Sequence, residues 1–441
     1  MANRTTTEQD VEAKENGWMT GFVCLRCGAE EGTSFRGYLC PACGGNLDVT
    51  YDVAALRRLW EEGRLLDTER ADMFRYRRLM PIRDLTHAPR LRVGNTPLLP
   101  APRLGEALGL RNVFLKDDGL NPSGSFKDRA SALVIARARE LGADVVAAAS
   151  TGNAGSAMAC MAASLGMPAV IFVPESAPRA KLAQLLIFGA HVIAVQGNYD
   201  DAFDLCSRVC EARGWFNRNT GLNPYTREGK KSCSFELCEQ RNWVPPDWVI
   251  VCTGDGNIIS GIWKGFRDLY DIGSIDRLPR LVAAQAEGSA AITRAVQRLR
   301  AENAPPGPAL WRDLKIEPVE AKTVADSISV DDPRDGLAAV RCVLESGGDA
   351  VAVPDEEILA AIQELGRRTG VFAEPSAAAS VAVLRRLAAA GSIGADDHVV
   401  CLISGSGLKD VDAARRAAGE PHRVAPDLDA TLSLLEQLGL S

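Results

Sequence analysis

Lys127 stands where a lysine could work as an amine nucleophile. The run Asn121-Pro122-Ser123-Gly124-Ser125-Phe126-Lys127-Asp128-Arg129 places it in a Gly- and Ser-rich turn, with good helix formers following from Ala130 to Glu140. The N-terminus of a helix carries partial positive charge, which disfavours an ammonium and favours the free amine that a Schiff-base lysine needs. The competing reading is a solvated surface cation, and the turn alone leaves both open. A Ser-x-x-Lys arrangement does not apply, because Gly124 precedes Lys127 by three residues.

Three further loops have residue types suited to a ligand. Thr253-Gly254-Asp255-Gly256-Asn257 lies between an apolar run, Trp248–Cys252, and a helical pattern, Ile258–Tyr270. Such a strand, glycine loop and helix N-terminus form an anion site, since glycines let backbone N–H groups approach a phosphate. A dinucleotide fingerprint is only partly matched, as the third glycine is missing, and a plain tight turn remains a rival. Ser150-Thr151-Gly152-Asn153 ends another apolar run, and its residue types suit a helix cap equally well. Ser404-Gly405-Ser406-Gly407 follows His398–Ile403, and Glu374-Pro375-Ser376 reads as a helix start.

A separate chemistry is suggested near the amino terminus. Cys24-x-x-Cys27 and Cys40-x-x-Cys43 are separated by twelve residues and supply four thiolates. This spacing fits tetrahedral Zn²⁺ with no open position, hence a structural site. Glycine follows each second cysteine, at Gly28 and Gly44, where the chain must turn over the metal. Two disulfides or a redox pair are the alternatives. Eight other cysteines are scattered along the chain, as expected for buried thiols in a reducing compartment.

Positioning these loops calls for an α/β framework. Asp144–Ala149, Pro168–Val173 and His191–Val195 read as buried strands, with helices at Ala154–Leu165 and Arg179–Phe188 between them. The alternation resumes at Trp248–Cys252, Arg280–Ala286, Ala350–Val353 and His398–Ile403. Short apolar runs alternating with helices predict parallel sheets covered on both faces. Pro245-Pro246 divides the two series and suggests a lobe boundary.

The expected organisation is a ribbon over 20–50, a helical linker over 51–90, a large domain from 91–120 and 246–421, a small domain over 121–245, and a helical arm over 422–441. With 46% hydrophobic residues the chain can bury a large core, and its net charge of −7 without a basic run argues against a nucleic-acid partner. Residues 1–16 have no signal-like apolar stretch, and no run is long enough to span a membrane, so a cytosolic protein is expected.

The order of the loops resembles the fold type II pyridoxal phosphate enzymes. The run Lys116 to Arg129 and the motif Gly94-Asn95-Thr96-Pro97-Leu98 look most like the threonine synthase branch, some members of which carry a similar amino-terminal ribbon. The resemblance extends from about Arg92 to Asp410. It implies that Lys127 carries pyridoxal phosphate, that Asn153 meets the cofactor's phenolic oxygen, and that Gly254, Asp255, Gly256 and Asn257 hold its phosphate. It also implies that Ser404 meets the pyridine nitrogen and that Glu374 belongs to the cofactor site. A neutral hydroxyl at the ring nitrogen makes a weaker electron sink, which suits elimination and replacement. Ser150, Thr151 and Gly152 would surround a substrate carboxylate; Lys181, Asn223, Thr226 and Arg227 are candidates for a substrate phosphate.

The implied reaction converts O-phospho-L-homoserine and water to L-threonine and phosphate, in a homodimer. The chain departs from the family pattern at Ser406, at Thr226 and along Asp326–Arg334, all bearing on substrate choice. A related lyase, ammonia-lyase or β-replacement enzyme is the second reading. A noncatalytic ribbon protein with a degenerate lobe is the third, and the intact Lys127 counts against it.

Overall fold

The computed structural model describes residues 15–440; residues 1–14, over which no signal-like stretch is expected, lie outside the described residues. Its frame is three sheets. The first is antiparallel and small, ordered β2-β1-β3 from Glu30–Gly32, Glu15–Cys24 and Leu47–Tyr51. It carries the cysteine block.

The largest sheet contains β4 (Leu98–Pro100), β5 (Asn112–Asp117), β10 (Trp248–Cys252), β11 (Arg280–Ala286), β12 (Asp349–Val353) and β13 (His398–Ile403). Its order is β12-β11-β10-β13-β5-β4, parallel except at the β4 edge. The third sheet is ordered β8-β7-β6-β9, from His191–Val195, Ala169–Pro174, Val146–Ala149 and Phe216–Asn217, and is wholly parallel.

Strand period explains the burial. Val249, Val251, Leu281, Ala283, Val400 and Leu402 belong to one apolar cluster, while their neighbours Ile250, Cys252, Val282, Ala284, Val399 and Cys401 belong to another. Successive side chains point to opposite faces, and helices cover both, so these strands read as unbroken apolar runs. The third sheet repeats the pattern, with Ala147, Ala149, Val170 and Phe172 on one face and Val146, Ala148, Ile171 and Val173 on the other.

Two expectations need correction. His191–Val195 is a strand but not a buried one; it lies at a sheet edge, and none of its residues is buried on either face. The charged stretch 51–90 is helical only over Val53–Glu61, with 3₁₀ turns at Met73–Leu79 and Leu85–His87. Gly63, at φ +67°, ends the helix, and Phe74, Tyr76 and Leu79 are buried as tethering points. The carboxy-terminal helix forms over Leu428–Gln437 and buries none of its residues.

Candidate active site

The sheet order reverses direction around β10 and β13, and the carboxyl ends of these strands and of β5 carry the loops singled out above. That crevice is where open α/β sheets bind ligands. From β5 the chain passes through a 3₁₀ turn, Asp118–Leu120, into the lysine turn. Phe126 N–H donates to the Ser404 carbonyl at 2.8 Å and Ser406 N–H to the Gly124 carbonyl at 3.0 Å, so the lysine turn and the Ser404 loop are joined edge to edge. Lys127 is the first residue of the helix Lys127–Glu140. It is half-buried, and its ammonium hydrogen-bonds to no described residue. Beside it, Asp128 accepts from both the amide and the hydroxyl of Ser123, and burial pushes its carboxyl up to about 6.

Two of the expected cofactor residues converge on the carboxylate of a third, Glu374. Asn153 donates to Glu374 at 3.1 and 2.9 Å, and Ser404 Oγ donates to Glu374 Oε1 at 3.3 Å. Glu374 is fully buried, and burial raises its carboxyl above the usual range against the pull of Lys127. Glu374, Asn153, Thr151, Gly152, Lys181 and Lys409 line a cavity of about 240 Å³. Lys409 Nζ crosses its wall, donating to Ser123 O and Ser156 Oγ at 3.0 Å and to Gln184 Oε1 at 2.5 Å. It thereby ties the Ser404 loop to the lysine turn and to two helices.

The glycine loop opens the helix Asn257–Asp271. Gly256 adopts φ +95°, and a Cβ there would stand 2.6 Å from the Asp335 carbonyl oxygen, so only glycine fits. Asn257 donates to Asp335 and accepts from Lys230. Asp255 accepts from the Arg334 amide at 2.7 Å; its Oδ2 is buried without a described partner, and burial raises the carboxyl to about 6.

Two cations beneath this loop were not apparent from the sequence. Arg218 and Lys230 are each 1% exposed, and among the described residues neither forms an ion pair. Arg218 donates to the hydroxyls of Ser131 and Thr220. Burial, with some opposing help from Tyr199, lowers it to about 10. Burial, Arg218 and Lys127 together hold Lys230 far below an ordinary lysine. Buried cations that repel one another with no carboxylate in direct contact suit an anion. Neither residue sits in a motif, so spacing could not have revealed them. The glycine cradle, the helix N-terminus and this cation pair fit the phosphate of pyridoxal phosphate, and the Glu374, Asn153 and Ser404 set fits its ring.

The substrate candidates divide into two groups. Thr151, Gly152 and Lys181 face the cavity, with Lys181 paired to Asp326 at 2.7 Å. Ser150 Oγ accepts from the Gly152 amide at 3.3 Å, shaping the loop. Asn223, Thr226 and Arg227 lie buried beneath the glycine loop instead. Asn223 Nδ2 donates to the Asn217 carbonyl at 2.7 Å, and Thr226 Oγ1 donates to Asn257 at 3.3 Å. Arg227 is gripped by Asp48 and Asp335, which leaves its charge matched within the protein. The divergent run 326–334 does border the site, through Asp326 on Lys181 and Ser327 Oγ on Asn153.

In the ribbon, the sulfurs of Cys24, Cys27, Cys40 and Cys43 all lie within 4.8 Å of one another. Tetrahedral Zn–S bonds of about 2.3 Å place sulfurs about 3.8 Å apart, so the four thiols can hold such an ion. Gly28 and Gly44 adopt φ +76° and +69°, as the knuckle turns require.

Comparison with known proteins agrees with this geometry. The family model described as "Pyridoxal-phosphate dependent enzyme" matches residues 90–405. The chain is 37% identical to the threonine synthase of Methanocaldococcus jannaschii, over 94% of this chain and 99% of that one. It is 38% identical to the threonine synthase of Methanosarcina acetivorans, over 93% and 98% respectively. Among solved structures, threonine deaminase isoform 2 of Solanum lycopersicum superposes with a TM-score of 0.61 at 20% identity, covering 73% of this chain and 87% of that chain. Escherichia coli diaminopropionate ammonia lyase superposes with a TM-score of 0.60 at 17% identity, covering 91% and 97%. At those identities the superpositions speak for the fold alone. Sequence similarity along nearly the whole chain, over a crevice fit for this cofactor, places the protein among the pyridoxal-phosphate-dependent enzymes, in the threonine synthase family.

Proposed function

We propose that the protein converts O-phospho-L-homoserine and water to L-threonine and phosphate. The observation carrying this reading is the end-to-end similarity to curated threonine synthases. When bound, pyridoxal phosphate supplies an electron sink for carbanions formed next to the substrate amine. Lys127, the amine at the helix mouth, holds the cofactor and then moves the proton at the substrate Cα. Thr151 and Gly152 orient the substrate carboxylate, and Lys181 at the cavity wall is placed to meet the leaving phosphate once it exchanges Asp326 for that anion. Glu374, whose carboxyl burial raises above the usual range, anchors Asn153 and Ser404 at the ring side of the cavity. The ribbon cysteines hold a structural Zn²⁺. The second and third sheets form two lobes, and the chain works as a cytoplasmic homodimer, for which the exposed Leu428 and Leu432 on the terminal helix offer apolar contact.

Protein loaded with pyridoxal phosphate should release phosphate and L-threonine in equal amounts from O-phospho-L-homoserine. Ammonia and a 2-oxoacid from serine or threonine, with no phosphate release, would reject this reading in favour of an ammonia-lyase. Gly256→Ala tests the cradle. Its left-handed backbone carries a penalty of about 1–2 kcal/mol for a side chain, before the collision with Asp335. Pyridoxal phosphate affinity should fall by about tenfold or more in equilibrium dialysis; an unchanged dissociation constant would place the phosphate elsewhere.

A further inference from the structure

The cysteine ribbon makes its deepest contact with the segment that underlies the glycine loop. Asn46 Nδ2 donates to the Gly221 carbonyl at 2.7 Å, and Tyr38 Oη accepts from the Asn217 amide at 3.0 Å. The contact made by β3 goes further. Cys24 pairs in register with Leu47. The Leu47 carbonyl accepts from Arg227 at 3.2 Å, and the next residue, Asp48, forms an ion pair with the same guanidinium. The other arm of Arg227 donates to Asp335 Oδ1 at 2.5 Å. The second oxygen of Asp335 accepts from Asn257 Nδ2, at the first turn of the phosphate-loop helix. Asp335 also donates its amide to the Asp255 carbonyl at 3.1 Å, and its own carbonyl is what Gly256 packs against.

Arg227 is 2% exposed and Asp335 1%. A buried guanidinium between two carboxylates is held only while both are present, since removing one partner leaves charge uncompensated. Burial alone would weaken the Arg227 charge, but Asp335 and Asp48 together keep the group firmly protonated. If Asp48 withdraws, Asp335 is the one carboxylate still paired with Arg227, beside the Ser260 hydroxyl and the Leu47 carbonyl. Asp335 holds Arg227 through one oxygen and Asn257 through the other, so a change at Arg227 has a direct route to the loop.

We propose that Asp48 is a positioning residue for the phosphate loop, acting through Arg227 and Asp335 on Asn257, so that the ribbon sets the affinity for pyridoxal phosphate. This inference rests on the cofactor reading given above. It also assigns Arg227 to the loop's support and not to a substrate phosphate.

Equilibrium dialysis of pyridoxal phosphate against the full-length, metal-replete apoprotein supplies the reference constant. Asp48→Asn, equal in shape and neutral, should raise the dissociation constant about tenfold. Asp48→Glu, which keeps the charge, should recover most of the affinity. Chelating the metal from the wild-type protein should raise the constant by a similar factor. Chelation of Asp48→Asn should add little more, because both changes break one link.

A ribbon that only stabilises the fold would lower the thermal midpoint in every case yet leave the constant within about twofold in folded protein. That result overturns the proposal, as do fully additive effects. Should Asp48→Asn fail to fold, the wild-type chelation and Asp48→Glu decide by the same criterion. Wild-type protein that takes up no pyridoxal phosphate would overturn the cofactor reading itself, a separate outcome.

Discussion

Lys127→Ala should lower turnover of O-phospho-L-homoserine by about a thousandfold or more, within or beyond the 10²–10⁴-fold range of a positioned acid–base group. The protein should nevertheless fold. Lys127 is half-buried and hydrogen-bonds to no described residue, so its loss uncovers no polar partner. Alanine is also a strong helix former, so the helix Lys127–Glu140 tolerates it. Steady-state phosphate release, paired with a thermal melt, checks both halves. The cofactor's phosphate should still bind, because the glycine cradle, Arg218 and Lys230 remain. Residual activity within tenfold of wild type would mean another amine does the work; Lys409, whose ammonium borders the same cavity, would be the next residue to test.

The second large effect is expected at Arg129. This guanidinium is wholly buried and donates to Asp118 at 2.6 and 3.0 Å and to Glu236 at 2.6 and 2.8 Å. Lys116 reaches Glu236 from the other side at 2.7 Å. Together these residues connect the end of β5, the lysine helix and the helix Ser232–Glu239. Arg129→Met preserves volume but strands Asp118 without a cation, and should cost about 3–5 kcal/mol in urea unfolding.

The pH dependence of the same network has a definite sign. Burial favours the neutral form of Glu236, but Arg129 and Lys116 outweigh it and hold the carboxyl at about 2, against an ordinary 4.5. A depressed carboxyl stabilises the fold above its unfolded value and loses that contribution as pH falls toward its folded value. Wild-type stability should therefore decline between about pH 4.5 and 2. In Arg129→Met the folded Glu236 value moves back toward the ordinary one, so the acid-linked loss should be smaller and the acid limb shallower. Identical acid limbs for the two proteins would show that the pair contributes nothing to stability.

Several site residues owe their roles to contacts far apart in the chain. Gly94 opens the motif Gly94-Asn95-Thr96-Pro97-Leu98, which is recognisable as a pattern. Its reason is tertiary: a Cβ at φ +77° would stand 2.5 Å from Glu236 Oε1 and 2.9 Å from an Arg129 nitrogen. The lysine turn, the glycine loop and the Ser404 loop were legible because each joins an apolar strand to a turn of distinctive residue types. His398–Ile403, Trp248–Cys252 and Arg280–Ala286 fall where the apolar runs predict. Such runs are bounded sharply by Gly, Pro and Ser, and a doubly covered parallel strand has no polar face to blur them.

Local pattern failed where neighbours decide the outcome. The sequence of β8 is as apolar as that of β7, yet β8 is mostly exposed, because strand order puts it at the edge and no residue pattern encodes order. Arg218 and Lys230 are ordinary cations in sequence. They form a buried cation pair only because folding removes them from water together without a carboxylate in direct contact with either. Arg227 shows the converse, since its position near Asn223 suggested a ligand contact, whereas Asp48 and Asp335, brought in from distant segments, take up its charge. The sequence by itself determined the strands, the lysine turn and the four-thiol spacing, because these depend on residues adjacent in the chain. Only the tertiary structure decided which charges are matched and which await a ligand, because that depends on what packs beside each group once water is gone.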